Sequence, residues 1–305
     1  MSIGPGDEAP HTPAQPAPGF LDALTFAFGD LDAQLYGVAR LALDGDGRAS
    51  AMAIVYSGHE PVAGGRQAGV ALDGEVAGWE SVRAAGVSST VERPLEAWTV
   101  GFEAGDGAGF ELRFEATSAP AVIAPDAPAG QAGGVQGYEQ TCSVSGSVSH
   151  GGHSRQLRCL GQRGHVWGAP DLGSIEVART LSAWLGADRA LTLTAVQPAR
   201  AKLRHLDEAI AGWVVEGGEP IAIAEPRLST TYDGEFRQQR AGLELWMDEE
   251  GTVGRRAWGE VLCGTTIDLG AMRLDSAFFH WRMEGREGVG LYDVLRRTNG
   301  KRSKR

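Results

Sequence analysis

The chain has 305 residues, a formal charge of −11 at pH 7, a hydrophobic fraction of 42% and three cysteines. That length exceeds the usual single core, so two domains of roughly 130 to 150 residues, or one large β-structure, are expected. The acidic balance excludes nucleic acid or an anionic membrane as the main partner, because phosphate binding draws on dense Lys and Arg; no apolar run approaches the roughly 20 residues of a membrane helix, so no stable membrane insertion is expected.

Residues 1–18 are rich in Pro, Gly and Ala with nothing to bury, and the expectation is a disordered segment outside the fold. They show neither the basic nor the apolar region of a secretory signal, which points to the cytoplasm. From Leu35 onward one theme repeats: apolar or alternating runs punctuated by glycine-rich turns. "LYGVARLAL" and "RASAMAIVY" flank "DGDG"; "EAWTVGFEA" and "FELRFEATS" flank "GDGAG"; "EQTCSVSGSVS" and "SRQLRCLGQ" flank "HGGH". Each is a hairpin signal, since Gly and Asp supply the positive φ of tight β-turns. "ALTLTAVQ", "GWVVEGGEPIAIAEP", "GLELWMDEEGTVGRRAWGEVL" and "FFHWRMEGREGVGLYDV" continue the pattern. Helix signals are sparse, with "LDALTFAFGDLDA" and "RTLSAWLGA" read as possible short helical turns and "SAPAVIAPDAPAGQAGG" at 118–134 as a long loop. The fold class is therefore antiparallel all-β, as closed barrels or sandwiches. The closing run 299–305 reads as a solvated basic tail.

Several familiar chemistries are missing. Cys142, Cys159 and Cys263 lack CxxC spacing and read as buried thiols. His150 and His153 sit at a hairpin tip with no third ligand, and the twelfth position of a loop that starts at Asp44 is Val55 where a calcium loop needs Glu, so no metal is expected. Neither a dinucleotide nor a P-loop fingerprint occurs, nor a nucleophile elbow, and no cofactor is expected. Glu92, Glu103 and Asp207 are isolated acids with surface roles.

The densest chemistry lies in "GQRGHVWGAPD", residues 161–171. With Gly151 and Gly152 as a two-residue loop, Arg163 opposes Gln140, His165 opposes Tyr138 and Trp167 opposes Gln136, and the period of two puts all six on one face. A three-residue loop would shift the register and set Glu139 against Arg163 as an ion pair. Two readings of this face stand side by side: the residues fill the end of a barrel, or they line a cavity in which Trp167 and Tyr138 form an apolar, cation-stabilising wall and His165 moves a proton near neutral pH. In "FFHWRMEGRE", Trp281 and Met283 read as core, while His280 on the opposite face could reach a cavity.

The run "YEQTCSVSGSV", its glycine turn and "GQRGHVWGAPD" resemble the signature of the tandem lipocalin-like proteins related to carotenoid hydratase (hydroxyneurosporene synthase) and to AttH-type proteins. There a YEQ strand precedes a segment of the type G-x-R-D-H-S-W-G. Gln162, Arg163, His165, Trp167, Gly168 and Asp171 match; Gly164 and Val166 replace the Asp and Ser, so a carboxylate partner for His165 is missing at that position. The ending "MEGREGVGLYDVLRR" resembles the family's last strand. The resemblance implies two lipocalin-like (calycin) antiparallel β-barrels packed side by side, at 19–170 and 171–298, around a hydrophobic pocket. It also implies a cofactor-independent hydratase, isomerase or cyclase acting on an isoprenoid- or polyketide-like molecule. His165 and Arg163 are then the expected catalytic pair, and Trp167, Tyr138, Gln140, Gln136, Glu139 and His280 the expected ligand contacts. The rival expectation is a carrier of a lipid, terpenoid or pigment without chemistry.

Overall fold

The computed structural model describes residues 1–13, 17–72, 74, 76–199 and 208–298. The expected basic tail and Asp207 lie outside the described residues. Their regular structure is nearly all antiparallel strand, in two sheets. The first is built from β1 (Leu21–Asp30), β2 (Leu35–Asp44), β3 (Ala49–Ser57), β4 (Glu60–Val70), β5 (Val87–Arg93), β6 (Ala97–Glu103), β7 (Gly109–Ala116), the short β8 (Ala121–Ile123), β9 (Val135–His150) and β10 (His153–Gly168). The second holds β11 (Ile175–Gly186), β12 (Arg189–Pro198), β13 (Ala209–Glu216), β14 (Glu219–Ala222), β15 (Glu225–Tyr232), β16 (Gln238–Trp246), β17 (Gly254–Asp268), β18 (Met272–Met283) and β19 (Arg286–Arg297).

Strand order in the first sheet is β4-β3-β2-β1-β10-β9-β7-β6-β5, with β8 on β9; in the second it is β14-β13-β12-β11-β19-β18-β17-β16-β15. Each sheet thus joins its first strand to its last, and each curls around its own apolar core as a lipocalin-like half-barrel. Leu24, Phe26, Trp98 and Phe114 fill the first core, and Leu193, Phe279, Trp281 and Tyr292 the second. A 3₁₀ turn at Trp79–Ser81 drops Trp79 into the first core. No helix of the described residues is long and apolar enough to cross a membrane.

Three local readings change. "LDALTFAFGDLDA" is strand β1 with its turn, and "RTLSAWLGA" lies in β11. Each of these strands is flanked by a partner on either side and has one stretch buried on both faces, which interrupts the strict alternation that marks a half-exposed strand. The 118–134 stretch is not plain loop: it contains β8 and the short helix α1 (Pro128–Gly133), whose Ala132 packs on Ile175, Val196 and Met272 of the second sheet.

The outer faces of the two sheets meet. Ala27, Tyr36, Val38 and Tyr56 of the first pack against Trp184, Phe278, Val289 and Leu291 of the second. Arg40 pairs with Asp293 and the Thr192 hydroxyl donates to Glu139 across the same seam.

Candidate functional site at the end of the first barrel

The β9–β10 hairpin has the two-residue register: Gly151 and Gly152 turn with φ 58° and 77°, and Arg163 faces Gln140, His165 faces Tyr138 and Trp167 faces Gln136. Period two then carries Arg163, His165 and Trp167 into the first barrel together with Tyr138 and Gln140. On β1 the inward positions are Asp22, Leu24, Phe26 and Phe28, so Asp22 ends an otherwise apolar row inside the same barrel.

Around these strands closes the amino-terminal segment, expected to stay outside the fold. A 3₁₀ turn at Pro5–Glu8 presents Glu8, 4% exposed, to the barrel. Its carboxylate pairs with Arg163 at 2.8 Å, accepts from Trp98 Nε1 at 2.6 Å and accepts from the Tyr138 hydroxyl. The Arg163 guanidinium lies 4.6 Å from the Tyr138 ring centre and 4.9 Å from that of Trp98. A fully buried cation is tolerable because one carboxylate and two π faces surround it.

The carboxylate missing beside His165 in the sequence comes from another strand. Asp22 Oδ1 is 2.7 Å from His165 Nε2, and both residues are fully buried. Asp22 Oδ2 accepts the backbone N–H of His11 at 2.5 Å and lies 3.4 Å from His11 Nδ1. His11 stacks on Trp167, with ring centres 3.8 Å apart and planes 9° off parallel, while Trp79 meets His165 edge-on. Burial pushes the His165 pKa down, with Arg163 and His11 acting the same way against Asp22. Burial pushes Asp22 up, but hydrogen bonds from His11 and His165 outweigh it and hold the carboxyl below its ordinary value.

These contacts fix a tautomer. Arg163 Nη2 points at His165 Nδ1 from 3.4 Å, and a guanidinium can only donate, so Nδ1 is the acceptor and Nε2 carries the proton given to Asp22. His11, Asp22 and His165 hold donor atoms within 4.8 Å of one another, the right chemistry for a metal. A metal on His165 Nε2 would, however, move the ring proton to Nδ1 and against the Arg163 donor. The set fits a hydrogen-bonded chain better than a metal centre.

His165 and Arg163, expected to meet a ligand directly, are sealed behind their partners. The group that reaches open space is His11, 23% exposed, in the wall of a cavity of about 770 Å³ shared with Pro10, Thr12, Phe20, Leu43 and Val76. Gln140 donates to the carbonyls of Leu95 and Ser118, and Gln136 flanks Trp167 at the strand end. His280 does not join the cluster: it sits on the outer face of β18, 2.9 Å from Glu287. Glu139 points the other way from Tyr138, into a cavity of about 110 Å³ between the sheets with Thr25, Gln162, Thr180 and Asp293. Burial, with Asp293 adding and Thr192 opposing, pushes its carboxyl up to about 7.

Two curled antiparallel half-barrels, the first closed at one end by a sealed polar cluster, define a tandem lipocalin-like fold. The chain belongs to the family described as domain of unknown function (DUF7064), whose model matches residues 4–298. The crystal structure of CghA with Sch210972 shares the fold, with a TM-score of 0.63 at 12% identity over 93% of this chain and 90% of that one. A provisionally assigned AttH (NE1406) from Nitrosomonas europaea gives a TM-score of 0.66 at 11% identity, over 90% of this chain and 92% of that one. At such identities the likeness is one of fold. No curated protein sequence matches the chain.

Proposed function

We infer that this protein binds a hydrophobic small molecule in the cavity beside His11 and carries out proton-dependent, cofactor-independent hydration, isomerisation or cyclisation there. One observation carries the reading: the chain His165–Asp22–His11 runs from the barrel interior to the wall of a 770 Å³ cavity, a volume suited to a small organic ligand. His11 is the acid/base. Asp22 stabilises the imidazolium that forms on it, Trp167 fixes the plane of its ring, and His165 and Arg163 hold Asp22 and Glu8 in place. The likeness to carotenoid hydratase in "YEQTCSVSGSV" and "GQRGHVWGAPD" supports an isoprenoid- or polyketide-like substrate, as does the crystallisation of CghA with Sch210972. In this reading the sequence-expected acid/base His165 becomes a positioning residue.

The test begins with native mass spectrometry of the protein from its own host, followed by extraction of whatever is bound. Incubated with the recovered molecule, His11→Ala loses turnover by about a hundredfold with affinity changed only a few-fold. Turnover unchanged in His11→Ala would overturn the assignment. The carrier reading is favoured by the way Arg163 and His165 are sealed from solvent against Glu8 and Asp22; it predicts no turnover in any form and weakened binding in Trp167→Ala.

A further inference from the structure

The mouth of the second barrel holds a cavity of about 770 Å³, far from His11, and its walls carry an excess of positive charge. Inward-facing Val177 and Arg179 come from β11, Leu228, Thr230 and Tyr232 from β15, Arg273 from β18 and Arg296 from β19. With Arg297, four guanidinium groups stand against three carboxylates: Glu176 and Glu208 in the wall and Asp275 buried behind it.

Three of the four arginines are engaged. Arg179 is bidentate on Glu208 and donates to Thr230 at 3.2 Å. Arg273 reaches Asp275 Oδ1 through Nε at 2.9 Å and Nη2 at 2.8 Å. Arg297 Nη2 donates to the carbonyls of Leu172, Gly173 and Ile175 at 2.6–3.0 Å. Arg296 is different. Its Nε stands 3.5 Å from Asp275 Oδ2, on the carboxylate that Arg273 holds through Oδ1, and among the described residues its buried Nε and Nη2 have no hydrogen-bond partner. Its guanidinium lies 4.8 Å over the Tyr232 ring. Leaving charged donors buried and unpaired is costly, and an anion at this point would satisfy them. The remaining wall sets Val177, Leu228, Tyr232 and Phe236 beside the polar Gln197, Ser229, Thr230 and Thr298, and Tyr232 and Phe236 are exposed at its rim.

We propose that the second barrel's mouth is a binding site for an amphipathic carboxylate, with its head on Arg296 and its apolar body along Val177, Leu228 and Tyr232. Barrel mouths with a few convergent polar groups are ordinary ligand sites, and a cavity of this size accommodates a medium-chain acid. The planar guanidinium suits a carboxylate in particular, because it can present two parallel donors.

The test is calorimetric titration of the full chain with octanoate and with 1-octanol, which has the same tail and no charge. Octanoate binds at one site, about tenfold or more tighter than the alcohol. Arg296→Gln removes that advantage without weakening the alcohol, Arg296→Lys keeps part of it, and Val177→Trp, which fills the cavity, abolishes both. Equal affinity for acid and alcohol overturns the proposal, and so does octanoate binding that survives both Arg296→Gln and Val177→Trp. Should Arg296→Gln not fold, Arg296→Lys and Val177→Trp decide the question by the same criteria. None of these outcomes depends on His11, so the two sites fail or stand separately.

Discussion

Glu8 and Arg163 illustrate how unequal the two ways of losing a buried ion pair are. Glu8→Ala leaves the guanidinium with no carboxylate in a site closed to water, which should cost about 3–5 kcal/mol in urea unfolding. Glu8→Leu combined with Arg163→Met removes both charges and should recover most of that loss. If the single and double variants are equally unstable, the pair is not what holds the cluster. Glu139 gives a pH dependence. Unfolded, its carboxyl ionises near 4.5; folded, it keeps the proton to about 7. The native state therefore binds more protons in that window, and stability falls as pH rises through it, by an amount on the order of 3 kcal/mol. Glu139→Gln should flatten the melting temperature between those pH values and raise it at pH 8. At this scale the sequence was legible in part: alternation and the turn put Arg163, His165, Trp167 and Tyr138 on one face. Asp22 could have been found too, because it extends the inward row Leu24, Phe26, Phe28, but reading that segment as helix hid the alternation. Glu8 and His11 left no periodic signal, since a 3₁₀ turn in a Pro- and Gly-rich segment announces nothing about what it buries.

Among elements, the β9–β10 hairpin and the amino-terminal segment do most to build the site. Gly137 has φ 155°, and a Cβ there would fall 2.1 Å from the His165 carbonyl oxygen. Gly137→Ala should cost about 1–3 kcal/mol or more and displace His165 from Asp22, read as a shift of the His165 ring resonances in NMR. Deleting residues 1–13 should open the barrel end, lowering the melting temperature and exposing Trp98 and Tyr138 to quenchers; unchanged quenching would mean that the segment is not the closure. Hairpins were the most readable elements because their turns demand particular residues at fixed places. The strands mistaken for helix, β1 and β11, were the least readable, because burial on both faces blurs the period toward the end of β1 and through the second half of β11.

For the whole molecule, the seam between the sheets decides whether either half stands alone. Tyr36, Val38 and Tyr56 are buried by Trp184, Phe278, Val289 and Leu291 of the other half. Residues 1–170 expressed alone would present that apolar face to water and should self-associate on size-exclusion chromatography, while the full chain melts in one transition. A monodisperse monomer would show that the seam is dispensable. Each sheet's join between first and last strand also sets a schedule for synthesis. Strand β1 is bordered on one side by β10, so from its emergence to that of its partner more than a hundred residues must be made, on the order of ten seconds of translation. During that interval β1 offers one bare edge, and ribosome-bound chains arrested before Val135 should be cut by protease within the β1–β4 meander, whereas chains arrested well past Gly168 resist. A nascent-chain chaperone has its opportunity in that gap.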